Sequence, residues 1–541
     1  MAGMAPTEGG AAAATFGTLA FFLIATIIIG RKGLLKFDTD AYMSARNTQS
    51  AFSLTMSFFA SGAGAWVLFT VPEAAILGGP IAVLGYAISC VAPLLIFSWA
   101  APYLRKSLPY GITFFEFVQA RYGSMVNVYV TLIATFYMFL YLAAEFSSLG
   151  SSVSLLSGGA SGLSAIIGTS IITMLYTTFG GLPVSLITDR VQGVGVLVFT
   201  VLVTMGVLGF ALYPAHTTAE ASATAAANWQ TAVSYGIGGN AGNSFKIAIV
   251  LILAVTSANL MHPGFQQRIW AAQDNAAVKS GLWGATILTI PFILLFGFFG
   301  MVAFANFGIG GLVAPTYLAF LSAFFIIQLC PTGWQVLAII LAVMMVASSA
   351  DTIQSGLAGL FNPAIEKVLT VAGVTNRPPK LILGITLCLT IALNVLAIIL
   401  ASLNISVLSL FVLADLLCAT CCVPVLMGLN HKVHPIAALS GCVAGLVTAL
   451  IVYGTGIPGL SEAGGFVLLL APGGLYSTTS LVAFIATLVS SGLVTTIVAI
   501  PFANNGYVFE GYAEGAAAAG AATSAKPSAE SDVEVTVTSS A

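Results

Sequence analysis

Runs of roughly 20 apolar residues recur along this chain, with short polar segments between them, and few folds suit such a pattern. Each run is long enough to cross the hydrocarbon core of a bilayer as a helix. Only 6% of the 541 residues are charged and 58% are apolar, whereas soluble domains carry about 25% charged residues. We therefore predict an all-α polytopic membrane protein with about 13 transmembrane helices. The predicted spans are 15–30, 52–72, 79–104, 124–153, 162–180, 184–213, 246–262, 276–305, 334–360, 381–402, 405–429, 435–454 and 477–502.

The positions of Lys and Arg predict how these spans are oriented. Of the 16 Lys and Arg residues, all but Lys246 lie in every second gap between spans or in the tail. Cytoplasmic loops retain Lys and Arg, so residues 1–14 are predicted to be a short extracellular segment of a plasma-membrane protein. Residues 15–504 form the predicted transmembrane domain. Residues 505–541, poor in large apolar side chains, are predicted to be a disordered cytoplasmic tail.

Composition also excludes several functional classes. The net charge is −2 and there is no basic patch, so nucleic acid is not an expected partner. The chain has no phosphate-binding loop, no HExxH motif and no nucleophile–histidine–acid spacing, and we predict that it is not an enzyme. The expected partners are a small solute and the lipid bilayer. The pattern leaves the oligomeric state open and is compatible with a monomer.

Four carboxylates fall inside the predicted spans: Glu145, Asp189, Asp351 and Asp415. A charged side chain in a bilayer costs on the order of 3 kcal/mol, so such residues are candidates for a functional site. The alternative is a helix–helix contact that satisfies each carboxylate.

Two spans carry the signs of interrupted helices. Residues 59–66 in the middle of span 52–72 are rich in Gly and Ala, and a His-Pro-Gly sequence ends at Gly264 just after span 246–262. Such interruptions free backbone carbonyls for cations, although small residues also allow close helix packing. Because the two spans are five apart and oppositely oriented, they indicate an inverted-repeat secondary transporter.

Span 334–360 contains a polar stripe. At helical spacing, Ser348, Asp351, Thr352 and Ser355 share one face. Hydroxyls beside freed carbonyls suit a small hard cation, and hydroxyls bonded to the preceding turn are the alternative.

Three stretches resemble the sodium:solute symporter family, closest to its urea/polyamine permease-like and proline symporter-like branches. They are 176–181 with 188–192 (YTTFGG and TDRVQ), 267–272 (QRIWAA) and 348–352 (SSADT). The resemblance implies a leucine-transporter-like fold of two inverted five-helix repeats, here 52–213 and 246–429.

The resemblance also implies a sodium site between the first and eighth core helices. Its implied ligands are the carbonyls of Ala60, Ala63 and Met345 and the hydroxyls of Ser348 and Ser349. Another register would move the two hydroxyl positions to Ala347 and Ser348.

Further site residues follow from the resemblance and the intramembrane positions. Asp189 and Asp351 are expected to serve a second cation or a proton. The residues expected around the solute are Trp66, Tyr141, Glu145, Asn259, His262 and Asp415.

The sequence therefore predicts a symporter that imports a small polar solute together with Na⁺ by alternating access. The expected solute is urea, a polyamine or an amino-acid-like molecule. Coupling to H⁺ in the same fold is the first alternative. A channel or a solute sensor is the second, and it is disfavoured because the polar residues cluster at mid-membrane instead of lining a continuous pore.

Overall fold

A computed structural model gives the fold of the chain. It describes residues 5–30, 39–157, 161–211, 219–234, 241–307, 327–374, 378–403, 407–455 and 477–509. Helices dominate this part of the chain, and it contains no β-strand. The helices of the first half are α1 Glu8–Gly30, α2 Thr39–Ser44, α3 Ala51–Gly62, α4 Val67–Ser107, α5 Phe114–Tyr122, α6 Ser124–Leu156, α7 Gly162–Ala211 and α8 Ala219–Ser234. Those of the second half are α9 Ala241–Leu260, α10 Pro263–Ala271, α11 Asn275–Phe307, α12 Thr332–Val371, α13 Pro379–Ser402, α14 Val407–Leu426, α15 Pro435–Thr455 and α16 Thr478–Asn504.

The helices agree with the predicted spans. Eleven helices in the described ranges are long and apolar enough to cross a membrane. The other two predicted spans are the interrupted segment 52–72 and the shorter segment 162–180. The first helix begins at Glu8, earlier than predicted. The predicted repeat boundary at 213 and almost all of the predicted disordered tail lie outside the described residues.

Both predicted helix interruptions are present. Helix α3 ends at Gly62, where the N–H of Ala63 makes the last helical bond, 2.9 Å to the carbonyl of Phe59. Helix α4 begins only at Val67. In the second half, α9 ends at Leu260 and α10 begins with Pro263. Proline suits the first turn of a helix, where its missing N–H has no partner to lose.

Sharp kinks at two glycines let α4 run from the end of predicted span 52–72 into span 79–104, and let α7 cover both 162–180 and 184–213. Gly79 has φ 62° and Gly181 has φ 56°, both in the left-handed region that glycine adopts at little cost. At Gly181 an added Cβ would also lie 2.7 Å from Tyr42 Cδ2. The hydroxyl of Tyr42 donates to the carbonyls of Thr177 and Thr178, each at 3.0 Å. The Gly-Gly pair of the YTTFGG motif therefore ends the predicted span 162–180 at the point where α2 packs against α7.

Helix α12 lies at the centre of the bundle. Within its most apolar window 83% of the residues are buried, against 28% for α16, which lies at the edge. Helices α3, α6, α7, α10 and α13 all pack on α12. The polar stripe predicted in this helix therefore faces protein.

Two of the basic residues that entered the orientation argument are buried. Arg121 is 2% exposed and Arg268 is 0% exposed, so neither is an open loop charge. Arg121 donates to the carbonyls of Gly428, Asn430 and Val433 at 2.8–3.1 Å. These hydrogen bonds satisfy backbone acceptors in the segment that follows α14. The orientation of the chain stays a prediction, carried by the remaining Lys and Arg residues.

Candidate functional site

A fully buried ion pair joins the two halves of the molecule. Arg268 of α10 donates through Nη2 to Oδ2 of Asp189 in α7 at 2.6 Å, and both side chains are 0% exposed. The guanidinium also donates to Ser57 Oγ at 2.6 Å, to the Gly264 carbonyl at 2.6 Å and to Thr352 Oγ1 at 2.7 Å. Its planar fork of donors thus bridges α3, α7, α10 and α12.

Asp189 holds α3 and α12 together through two hydroxyls. Ser57 of α3 donates to Oδ2 at 2.5 Å, and Ser348 of α12 donates to Oδ1 at 2.7 Å. Both carboxylate oxygens therefore have partners, and Arg268 supplies the positive charge at the position predicted for a second cation or proton.

Asp351 occupies a separate polar contact between α12 and α7. It accepts hydrogen bonds from Ser185 at 2.9 Å, Thr188 at 3.1 Å and Thr352 at 3.3 Å. Hydroxyls are thus its hydrogen-bond partners among the described residues. Thr352 contacts both Asp351 and Arg268 and so links the two acids.

The first helix break presents free backbone oxygens. No described N–H donates to the carbonyls of Ala60 and Ala63, because the helix stops at Gly62. On α12, the Ser349 hydroxyl donates its proton to the Met345 carbonyl at 3.1 Å, which leaves the lone pairs of its oxygen available. Of the residues predicted to bind sodium, Ala60, Ala63 and Ser349 therefore retain free oxygen lone pairs, whereas the Met345 carbonyl accepts the Ser349 hydroxyl and the Ser348 hydroxyl is bonded to Asp189.

Glu145 of α6 approaches the same break. Its Oε2 accepts the N–H of Ala65 at 2.8 Å, and Ser349 lies beside the carboxylate. The side chain is 0% exposed, and Oε1 has no hydrogen-bond partner in the described part of the chain. Glu145 thus bridges the break and α12, and it lines neither of the two cavities described next.

Two small cavities lie on either side of a shared wall. Trp66, Tyr141 and Asn259 line both, and each cavity has a volume of about 30 Å³. Trp66 Nε1 donates to the Tyr141 hydroxyl at 2.9 Å, which holds the wall together. The first cavity reaches the helix break at Gly62 and Ala63.

The second cavity combines one carboxylate with aromatic rings. Asp415 of α14 lines it and is 3% exposed. No described residue forms a hydrogen bond or an ion pair with the Asp415 carboxylate. The aromatic wall consists of Trp66, Tyr86, Tyr137, Tyr141 and Phe411.

Asn259 and His262 follow the second helix break. Asn259 Oδ1 accepts a hydrogen bond from the Tyr137 hydroxyl at 3.1 Å. His262 stacks on Phe265 with ring centroids 4.3 Å apart, and its Nδ1 accepts the Phe265 N–H at 3.4 Å, capping α10. Its Nε2 has no partner among the described residues, and its ring lies 5.6 Å from that of Tyr141.

Comparison with known proteins identifies the family. The model of the sodium:solute symporter family matches residues 42–445. The chain belongs to that family. It is therefore a multi-pass membrane transporter and not an enzyme.

Relatives agree with this assignment. The chain is 23% identical over 395 residues to the spermidine transporter DUR31 of Candida albicans, a match covering 73% of this chain and 70% of that protein. Its fold is similar to that of a substrate-bound, outward-open Na⁺-coupled sialic acid symporter, with TM-score 0.69 and 15% identity over 91% of this chain and 97% of the other. It also resembles Mhp1, a nucleobase-cation-symport-1 transporter, in a closed conformation with bromovinylhydantoin bound. That match has TM-score 0.51 and 14% identity over 89% of this chain and 99% of the other. The leucine-transporter-like fold predicted from the sequence is confirmed.

The three motifs that carry the family resemblance meet in one network. Tyr176 of the first motif donates to the Ala347 carbonyl at 2.9 Å, Arg268 belongs to the second, and Ser348 belongs to the third. Sequence reasoning recognised Arg268 as part of a motif but counted it as a loop charge. Its only signal was its position a few residues after an interrupted helix.

Sequence reasoning also missed several partners of the predicted site residues. Ser57 is one of many hydroxyls in the apolar spans, and nothing in its spacing sets it apart. Tyr86, Tyr137, Ser185 and Phe411 were missed as well, because nothing in their spacing sets them apart, whereas Thr188 lies in the recognised 188–192 motif but was not assigned as a partner of Asp351.

Proposed function

We propose that this symporter imports an organic ammonium of the polyamine class together with Na⁺. The observation that carries the proposal is Asp415, a buried carboxylate without a described partner, in a cavity walled by five aromatic side chains. A buried carboxyl must either take up a proton or lie beside a compensating cation. An ammonium group would supply that charge.

The aromatic wall favours an organic cation over a metal ion. Aromatic faces attract ammonium groups by about 0.5–2 kcal/mol each, and Tyr86, Tyr137 and Tyr141 offer such faces around Asp415. An alkylammonium has both the charge and the apolar stem that this wall suits. A metal ion would instead need several oxygen ligands.

The charge of Asp415 disfavours the other two solutes expected from the sequence. Urea is neutral and would leave the carboxylate uncompensated. An amino acid would bring a second carboxylate close to the first, and like charges repel in a low-dielectric site. The likeness to a spermidine transporter supports the polyamine choice.

Solute binding requires the site to enlarge. A cavity of about 30 Å³ has room for about two water molecules, whereas small-ligand sites measure about 300–1,000 Å³. The wall that Trp66 and Tyr141 form between the two cavities is the element most suited to move. The hydrogen bond described between these two side chains would have to break for the wall to open. We propose that this bond breaks as the solute enters.

Sodium is proposed to bind at the first helix break. The free carbonyls of Ala60 and Ala63 and the lone pairs of Ser349 are hard oxygen ligands. A cation there would tie α3 to α12. Rocking of the helices that carry these ligands would dismantle the site and release both cargoes, which is alternating access.

Uptake by proteoliposomes tests this proposal. The purified protein is reconstituted and given labelled putrescine, spermidine, urea or proline, with Na⁺ or N-methylglucamine outside. Sodium-stimulated accumulation of the two amines, and of neither other solute, is expected. Accumulation of urea or proline instead would refute the polyamine assignment. Amine uptake that follows a pH gradient and does not respond to Na⁺ would refute sodium coupling. It would instead indicate coupling to protons that bind at Asp351 or Asp189.

One substitution tests the anchor directly. Asp415→Asn keeps the size of the side chain and removes its charge, so amine uptake should fall at least about 30-fold, corresponding to about 2 kcal/mol. Cys418→Ala, one helical turn further along α14 and equally buried, is the matched control and should transport normally. Equal loss in both variants would indicate general damage to α14.

A further inference from the structure

Glu145 has a position that solute binding does not explain. Its carboxylate lies at the first helix break, with Oε2 on the Ala65 N–H at 2.8 Å and Ser349 alongside. Its other oxygen, Oε1, is buried and has no described partner. This carboxylate therefore lies against Gly64, which follows the predicted sodium ligand Ala63, and beside the predicted ligand Ser349.

Gly64 makes room for this carboxylate. A Cβ built at Gly64 would lie 2.6 Å from Glu145 Cδ, well inside any possible contact distance. The close approach of Glu145 to the backbone therefore depends on a residue without a side chain. Glycine is common where backbone approaches a ligand or another group closely.

Charge balance points to a cation at this carboxylate. No described Lys, Arg or His forms an ion pair with Glu145, and the buried Arg268 is paired with Asp189. An ionised carboxylate buried in this way is costly unless a positive charge lies beside it. The carboxylate of Glu145, the free carbonyls of the helix break and the Ser349 hydroxyl are together the donor types that a hard metal ion prefers.

We propose that Glu145 is a direct ligand of the transported sodium ion, in addition to the ligands implied by the family resemblance. The proposal rests on the sodium coupling proposed above. It replaces the sequence expectation that Glu145 binds the solute. The transporter then has two buried carboxylates with separate cargoes: Glu145 binds the metal ion and Asp415 binds the organic ammonium.

Sodium binding can be measured without transport. Purified protein is heated in rising NaCl, with N-methylglucamine chloride keeping the ionic strength constant, and the midpoint of the increase in unfolding temperature gives the sodium affinity. Ligands that bind only the folded state raise its stability in this way. The same assay with spermidine at fixed salt reports solute binding.

The expected result separates Glu145 from Asp415. Glu145→Gln keeps an oxygen for the Ala65 N–H and should raise the sodium midpoint at least about 30-fold, because the lost ligand is charged. Ser349→Ala should also raise it, whereas Asp415→Asn should change only the spermidine response. Glu145→Asp, which retains the charge, should lie between wild type and Glu145→Gln and covers the case in which the glutamine variant does not fold.

Each contrary result has a distinct meaning. An unchanged sodium midpoint in Glu145→Gln, with a normal wild-type response, would overturn the assignment of Glu145 and leave sodium coupling intact. Loss of the spermidine response with a normal sodium response would make Glu145 a solute ligand and also overturn it. A wild-type protein that sodium does not stabilise would refute the proposed coupling itself.

Discussion

Replacing Arg268 by Met should destabilise the protein more than any other single buried substitution at the site. The variant removes four hydrogen bonds of 2.6–2.7 Å and leaves Asp189 buried without its positive partner. Breaking a buried ion pair by removing one partner costs about 3–5 kcal/mol. The methionine side chain fills most of the vacated volume, so a cavity adds little.

Protonation of Asp189 sets an upper limit to this loss. A carboxyl can escape its buried charge by taking up a proton, which costs about 1.4 kcal/mol for each pH unit above its ordinary pKa of about 3.9. At pH 7 the limit is therefore about 4 kcal/mol, and at pH 5 it is about 1.5 kcal/mol. The defect of Arg268→Met should shrink on acidification.

The assay is equilibrium unfolding of the purified protein in mixed micelles at pH 7 and pH 5. The double variant Asp189→Asn/Arg268→Met removes both charges and should recover about 2 kcal/mol relative to Arg268→Met, because the two side chains are in contact. A loss below about 1 kcal/mol, a loss that does not change with pH, or a double variant less stable than Arg268→Met would each refute the reasoning.

Three further predictions concern single positions. Gly181→Ala should lower the free energy of unfolding by about 1–2 kcal/mol or more, because alanine resists φ 56°, and thermal unfolding measures the change. Trp66→Phe removes the 2.9 Å hydrogen bond to Tyr141 and keeps an aromatic face. The wall should then open at a lower cost, by about 1 kcal/mol, so the amine should bind about fivefold more tightly. Weaker binding would contradict the wall-opening step. Burial and the nearby charge of Arg121 lower the pKa of His434 below 6.5, so the stability contributed by its neutral ring is present above that pH and lost as pH falls. Limited proteolysis at pH 7.5 and 5.5 measures this loss, and His434→Phe should abolish the difference.

The helices and their two interruptions were predictable because they depend on features local in sequence. These features are the length of each apolar run and the Gly and Pro residues that interrupt a helix. Segment 52–72 and the break before Pro263 both lie where the sequence indicated. The kinks inside α4 and α7 do not alter that reading, since Gly79 is the first residue of the predicted span 79–104 and Gly181 falls between the predicted spans 162–180 and 184–213. The family fold was predictable for the same reason, from motifs whose residues are close in sequence.

Partners across the bundle were not predictable, since they depend on how helices face one another. The sequence indicated Asp189 as an intramembrane acid, but only the packing of α10 on α12 brings Arg268 to it. Glu145 and Asp415 were both expected near the solute, and helical spacing alone could not separate them. Their separation arises because α6 reaches the first helix break whereas α14 lines an aromatic cavity.

Glu145 and Asp415 have no basic partner among the described residues, and this has an electrical consequence. If sodium and a polyamine such as putrescine, which is doubly charged at neutral pH, occupied them, the loaded site would carry a net positive charge, and a negative interior would favour its inward movement. At a pH at which both acids stay ionised, the same helices would carry two uncompensated negative charges back once both cargoes have left. Each charge that crosses the full field gains about 2.3 kcal/mol per 100 mV, and a negative interior drives negative charge outward. The membrane potential would then act on both halves of the transport cycle, and the return of the empty transporter should appear as a transient current in sodium-free, amine-free solution.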